Sequence, residues 1–259
     1  MRKTIEPEAS PGQSRETQDA APPSKPHDSG IDAKTIGTIQ RNGYRIEKVV
    51  LSGNENQLAL PGLLFIPDTT TRPPVLYLHG VSMKAEAKAG GRCEQLVKQG
   101  HIVLSAELTG IGETESGHDR RAWGRGRFGP DVQEIYLAYL MGHSFVGMRT
   151  NDVFRWSDYL SRYATNNERR AIQLIATGEV AIPALHAAAL EPTRFKSVRL
   201  KHMIRSWAEV VAAPESTNQL VNAVHGALRH YDLPDLVELA GKDRVNIEEP
   251  VDASGRQED

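Results

Sequence analysis

Residues 174–181 (Leu-Ile-Ala-Thr-Gly-Glu-Val-Ala) read as a buried strand that runs through a tight turn into a helix of small residues. A serine at such a turn, in the pattern Gly-x-Ser-x-Gly, has its hydroxyl held at a strained bend and can attack an ester carbonyl. Here the position holds Gly178, which has no side chain to attack with. Glu179 follows, and it offers a carboxylate that can act as a base on water. Ser144 is a second candidate nucleophile, in Gly142-His143-Ser144-Phe145-Val146-Gly147. Its second glycine falls one place late. Its lead-in, residues 132–141, has no β-branched run, so Ser144 reads as a break between two helices. His225, His230 and Asp232 form a polar cluster, and the two histidines are candidate bases for Ser144 or Glu179. As metal ligands their spacing matches no standard signature, and no metal is expected. Gly110-x-Gly112 falls short of a phosphate or dinucleotide loop, so no cofactor is expected. Cys93 is the only cysteine, which excludes an intrachain disulfide and reads as a buried, inert thiol.

The elements that must position these residues follow from hydropathy and turn chemistry. Residues 44–52 and 58–66 flank Gly53-Asn54-Glu55-Asn56 and predict a β-hairpin. Short apolar runs at 74–79, 101–106, 171–176, 197–200 and 244–247 suit buried parallel strands. Helical character falls on residues 85–98, 135–141, 146–163 and 180–190, and Asp232 and Asp235 suit caps for a helix over 236–240. Strands alternating with helices predict an α/β fold, a mostly parallel sheet with helices on both faces. Residues 1–37 are expected to be a disordered arm, because Pro, Ser, Glu and Gln there cannot bury enough apolar surface to offset the entropy of ordering. Residues 38–259 are expected to be the folded domain, with truncation at its C-terminal end as an open reading.

These segments together resemble the α/β-hydrolase superfamily, nearest to the acetyl xylan esterases and dienelactone hydrolase-like esterases, over roughly residues 40–255. The resemblance implies roles residue by residue. His79-Gly80-Val81 follows the strand at 74–79, and Val81 would donate one backbone N–H to an oxyanion hole. Gly178 stands at the vacant nucleophile position, and Glu179 would donate the second N–H. Asp252 fits the acid position after the last strand, with no histidine following it. Glu107-Leu108-Thr109-Gly110-Ile111-Gly112-Glu113-Thr114 resembles the family's acidic, glycine-rich loop, to which no catalysis is assigned. Gly147-Met148-Arg149-Thr150-Asn151-Asp152 resembles a G-x-R-x-x-D run, in which Arg149 and Asp152 stand one helical turn apart and suit an ion pair.

The expectation is therefore an esterase-like domain of the acetyl xylan esterase type that has lost Ser-His-Asp catalysis. Two alternatives stand beside it. One is an active ester hydrolase with a displaced site, Ser144 or Glu179 with His225 or His230. The other is a binding module without catalysis. The expected partner is a small-molecule or carbohydrate ester. A net charge of -2 without a basic stripe argues against nucleic acid. No apolar run of ~18 residues and no leader-like h-region are seen, so neither a transmembrane span nor a Sec signal peptide is expected and a cytoplasmic location is the simple inference.

Overall fold

The computed structural model describes residues 33–53, 57–116, 128–129, 131–163 and 170–257. Eight strands form one sheet in the order β1-β2-β3-β5-β4-β6-β7-β8. They are β1 (Ala33–Arg41), β2 (Tyr44–Leu51), β3 (Leu60–Pro67), β4 (Val75–His79), β5 (Val103–Ala106), β6 (Ile172–Thr177), β7 (Phe195–Lys201) and β8 (Val245–Glu248). The first three strands pair antiparallel, and β3 joins β5 antiparallel. From β5 through β4, β6 and β7 to β8 every pairing is parallel.

Period-2 alternation along the central strands divides the core in two. Leu76, Leu78, Leu174 and Ala176 face one cluster, while Val75, Tyr77 and Ile175 face another. The second cluster is covered by α1 (Arg92–Lys98) through Cys93, Leu96 and Val97. The first is covered by α3 (Phe145–Tyr163) through Val153, Trp156 and Leu160, by α4 (Ala181–Leu190), and by α6 (Leu233–Ala240). Two further helices, α2 (Val132–Leu140) and α5 (Trp207–Ala212), lie between the strands in sequence. Among the described residues no helix is long and apolar enough to cross a membrane.

The hairpin, the parallel strands and the helices expected over 135–141, 146–163 and 180–190 fall where the sequence places them, with boundaries shifted by a few residues. Three expectations change. The helix expected over 85–98 forms only at Arg92–Lys98, because Gly90 at φ +77° and Gly91, whose N–H donates to the Lys88 carbonyl, fold the first half into turns. The helix expected over 236–240 starts earlier, at Leu233, with Asp232 as its N-cap and Asp235 closing a capping box. Strand β1 begins at Ala33, inside the segment assigned to the arm. It is a mostly exposed edge strand held by backbone pairing to β2, so it leaves no burial signal in the sequence. The rest of the arm, residues 1–32, and Asn54-Glu55-Asn56 of the hairpin turn lie outside the described residues.

Candidate functional site

Strand register brings four chain segments to one level at the carboxyl ends of the parallel strands. His79 pairs with Thr177, Thr177 with Lys201, and Lys201 with Glu248. The residues that follow these ends surround a cleft of about 410 Å³ whose lining includes His79, Gly178, Glu179, Lys201, His202 and Asn218. Crevices beyond the carboxyl ends of strands are where open α/β sheets bind ligands.

The turn between β6 and α4, the elbow, is tight. β6 ends at Thr177, Gly178 turns at φ +77°, and a single 3-10 turn (Gly178–Val180) leads into α4. A Cβ placed on Gly178 would meet nothing closer than the Gly80 Cα at 4.0 Å, so the space in front of the turn is open. Gly80 is tighter. A Cβ there would lie 3.1 Å from Glu179 Cγ and 3.2 Å from Glu179 N, so only glycine lets the loop after β4 approach the turn. The Gly80 N–H donates to the Thr177 carbonyl at 2.9 Å and locks the approach.

Glu179 is not aimed into the cleft as a free base. Its Oε1 accepts from Arg149 Nη1 at 2.9 Å, and its Oε2 accepts from Asn218 Nδ2 at 3.4 Å. Arg149 is almost fully buried on α3. Its Nε donates to the Thr109 carbonyl at 2.9 Å, and its guanidinium lies over the Phe145 ring at 5.2 Å. Its Nη2 is 3.5 Å from Asp131 Oδ2, an ion pair that makes no hydrogen bond. Burial pushes the Asp131 carboxyl up to about 6, against the pull of Arg149. The expected Arg149–Asp152 pair does not form. Asp152 Oδ2 instead accepts from the N–H and hydroxyl of Thr109 at 2.8 and 2.7 Å, while its Oδ1 accepts from Arg155 Nη1 at 3.2 Å.

The other residues singled out in the sequence go to separate places. The Val81 N–H lies at the cleft but donates to His79 Nδ1 at 3.2 Å, and burial lowers the proton affinity of that imidazole, which suits it as an acceptor. Asp252 spends its carboxylate on its own loop. Its Oδ1 accepts from the Ser254 N–H and hydroxyl and from the Arg256 N–H, which hold it below the usual carboxylate range. Ser144 Oγ accepts from the Gly147 N–H at 3.0 Å at the start of α3, as a helix cap does. His225 is exposed and touches Tyr139, with Nδ1 3.4 Å from its hydroxyl, and His230 is exposed. Neither lines the cleft. Asp232 bonds the Ser206 hydroxyl and the Trp207 N–H. Cys93 is fully buried, and burial pushes its thiol up to about 12. Glu107, also fully buried, gathers the Met83 and Glu113 N–H groups and the Ser82 hydroxyl, and so ties the glycine-rich loop to the loop after β4.

Two residues, one lining the cleft and the other bonded to it, escape sequence reasoning. His202 directly follows β7 and Glu249 directly follows β8, and their Nε2 and Oε2 are 2.7 Å apart. Lys201 Nζ sits 3.1 Å from the other Glu249 oxygen. The available signal is their position just past the end of a parallel strand. A search for a histidine late in the chain passes over it.

No family model and no curated protein matches the chain. Solved structures do. A protein from Bacteroides fragilis, provisionally assigned as an acetyl xylan esterase, superposes with TM-score 0.61 at 16% identity over 85% of this chain and 63% of its own. The fold is that of the α/β-hydrolases. An acetyl xylan esterase from Paenibacillus sp. R4 matches with TM-score 0.50 at 16% identity, over 88% of this chain and 76% of its own. The chain thus spans 63% of the length of the first of these structures. At the apex of the turn between β6 and α4 this chain carries Gly178, which has no side chain.

Proposed function

We propose that the cleft at Gly178 binds a small ester, of the acetylated-carbohydrate class that the structural neighbours' names suggest, and that the chain forms no acyl-enzyme at this site. The observation that carries this reading is the Gly178 turn: φ +77° with open space in front and no hydroxyl. The arrangement around it supports the same reading. Glu179, the next residue, is held by Arg149 and Asn218, and Ser144 bonds its own helix, so neither stands in as a nucleophile over the cleft. Losing a triad serine removes about six orders of magnitude from kcat in a well-studied protease, so the covalent route does not survive its absence.

The test is intact-protein mass after incubation with p-nitrophenyl acetate and, separately, with a fluorophosphonate. The expected result is an unchanged mass, with wild type and Ser144→Ala identical. Binding of an acetylated xylo-oligosaccharide is expected by calorimetry. A stoichiometric acyl or phosphonyl adduct on a serine overturns the reading.

A further inference from the structure

Three non-glycine residues among those described hold left-handed backbone: His202 at φ 53°, Asn218 at φ 54° and Glu249 at φ 48°. Such conformations cost energy and persist where the surrounding structure over-determines them, often at functional sites. Here all three converge on one place. His202 and Asn218 line the cleft with Gly178, and Glu249 bonds His202. The two loops are clamped together, since the His202 N–H donates to the Glu248 carbonyl at 3.2 Å and the Val251 N–H to the Met203 carbonyl at 3.1 Å. Strain and hydrogen bonds therefore fix an imidazole–carboxylate pair whose imidazole lines the same cleft as Gly178.

Resting on the reading of the cleft as an ester site, we propose that His202, oriented by Glu249, is a proton acceptor for water in the space that Gly178 leaves open, so that the chain hydrolyses small activated esters by direct addition of water. The Glu249 carboxylate can only accept, so Nε2 carries the hydrogen of that bond, and in the neutral imidazole Nδ1 carries the lone pair. Lys201 and His202 hold the Glu249 carboxyl below its ordinary range, which keeps it an acceptor. In the step, the water oxygen forms a bond to the ester carbonyl carbon while Nδ1 takes its proton. The tetrahedral oxyanion then collapses, the bond from carbon to the alkoxy oxygen breaks, and the imidazolium proton passes to the leaving oxygen. One ester and one water give one acid and one alcohol, and no other reactant is consumed. The charged and titratable groups around His202 are Lys201, Glu249, His79, Glu86 and Glu179.

The test is the protein-dependent rate of p-nitrophenyl acetate hydrolysis by the full chain, as a function of pH. His202→Asn keeps a residue that tolerates left-handed backbone, and it is expected to lower the rate by about 10²-fold and to flatten the rise in rate with pH. Glu249→Gln is expected to lower the rate by a smaller factor. His225→Gln and His230→Gln, exposed and outside the cleft, are expected to leave it unchanged. Thermal unfolding of each variant confirms that it is folded. The proposal is overturned by a wild-type rate equal to buffer, by an unchanged rate in His202→Asn, or by an acyl group found on His202 itself. The first two outcomes leave the ligand-binding reading standing, whereas a serine adduct removes that reading instead.

Discussion

At Gly178 the chain needs a torsion that L-residues reach at a cost of about 1–2 kcal/mol, while the space beside it is free. Gly178→Ala is therefore expected to destabilise by that amount through the backbone alone, with no steric share, as read from urea denaturation midpoints. Asp131 gives a pH dependence. Its carboxyl titrates near 6 in the fold against an ordinary 3.8, so the folded state binds a proton that the unfolded chain has released. The contribution is fully present below about pH 4 and is lost as pH rises through 6. Asp131→Asn removes it, so the variant is expected to gain stability relative to wild type between pH 4.5 and 7, with the gain levelling off above. The Cys93 thiol, buried and titrating near 12, is expected to resist iodoacetamide in the folded protein and to react once urea unfolds it. A flat stability difference for Asp131→Asn, or rapid native alkylation of Cys93, would show that those burials are not as described.

Between elements, Arg149 is the tie that sets the elbow. It joins α3 to the turn through Glu179, to the loop after β5 through the Thr109 carbonyl, and to the start of α2 through Asp131. Arg149→Met leaves the buried Asp131 and the partly buried Glu179 without their cation and is expected to cost about 3 kcal/mol, measured by chemical denaturation. The sequence makes the helix and the arginine visible but not the partners, because Glu179 is thirty positions away and helical spacing nominates Asp152 instead. Asp152 is claimed by Thr109, which a helical wheel cannot show. The same blindness hides His202 and Glu249. Both stand just past strands that hydropathy locates, yet their meeting depends on β7–β8 register, which hydropathy does not encode.

For the molecule as a whole, the pattern of apolar runs and helices is enough to read the α/β-hydrolase fold, because a doubly covered parallel sheet writes its burial into composition. What resists reading is what carries no burial: the exposed strand β1, and the turns that shorten α1. The core on the α3 side of the sheet holds Trp156, fully buried, with its Nε1 donating to the Glu107 carbonyl at 2.9 Å and its ring against Gly62. Trp156→Ala is expected to cost about 3–5 kcal/mol by loss of packing and of that bond. His202→Asn, at the open cleft, is expected to leave the denaturation midpoint close to wild type, so core and site separate in one pair of measurements.

The bend between β6 and α4 also bears on how such a chain can change over time. Replacing a hydroxyl-bearing residue by glycine there relaxes the torsion and leaves the path of the chain in place, so the loss runs downhill in folding free energy. The return runs uphill and gains nothing until a base, an anion hole and a bound substrate already stand ready. A glycine at this corner acts as a ratchet, because the bend keeps its shape whether or not a side chain there takes part in a reaction.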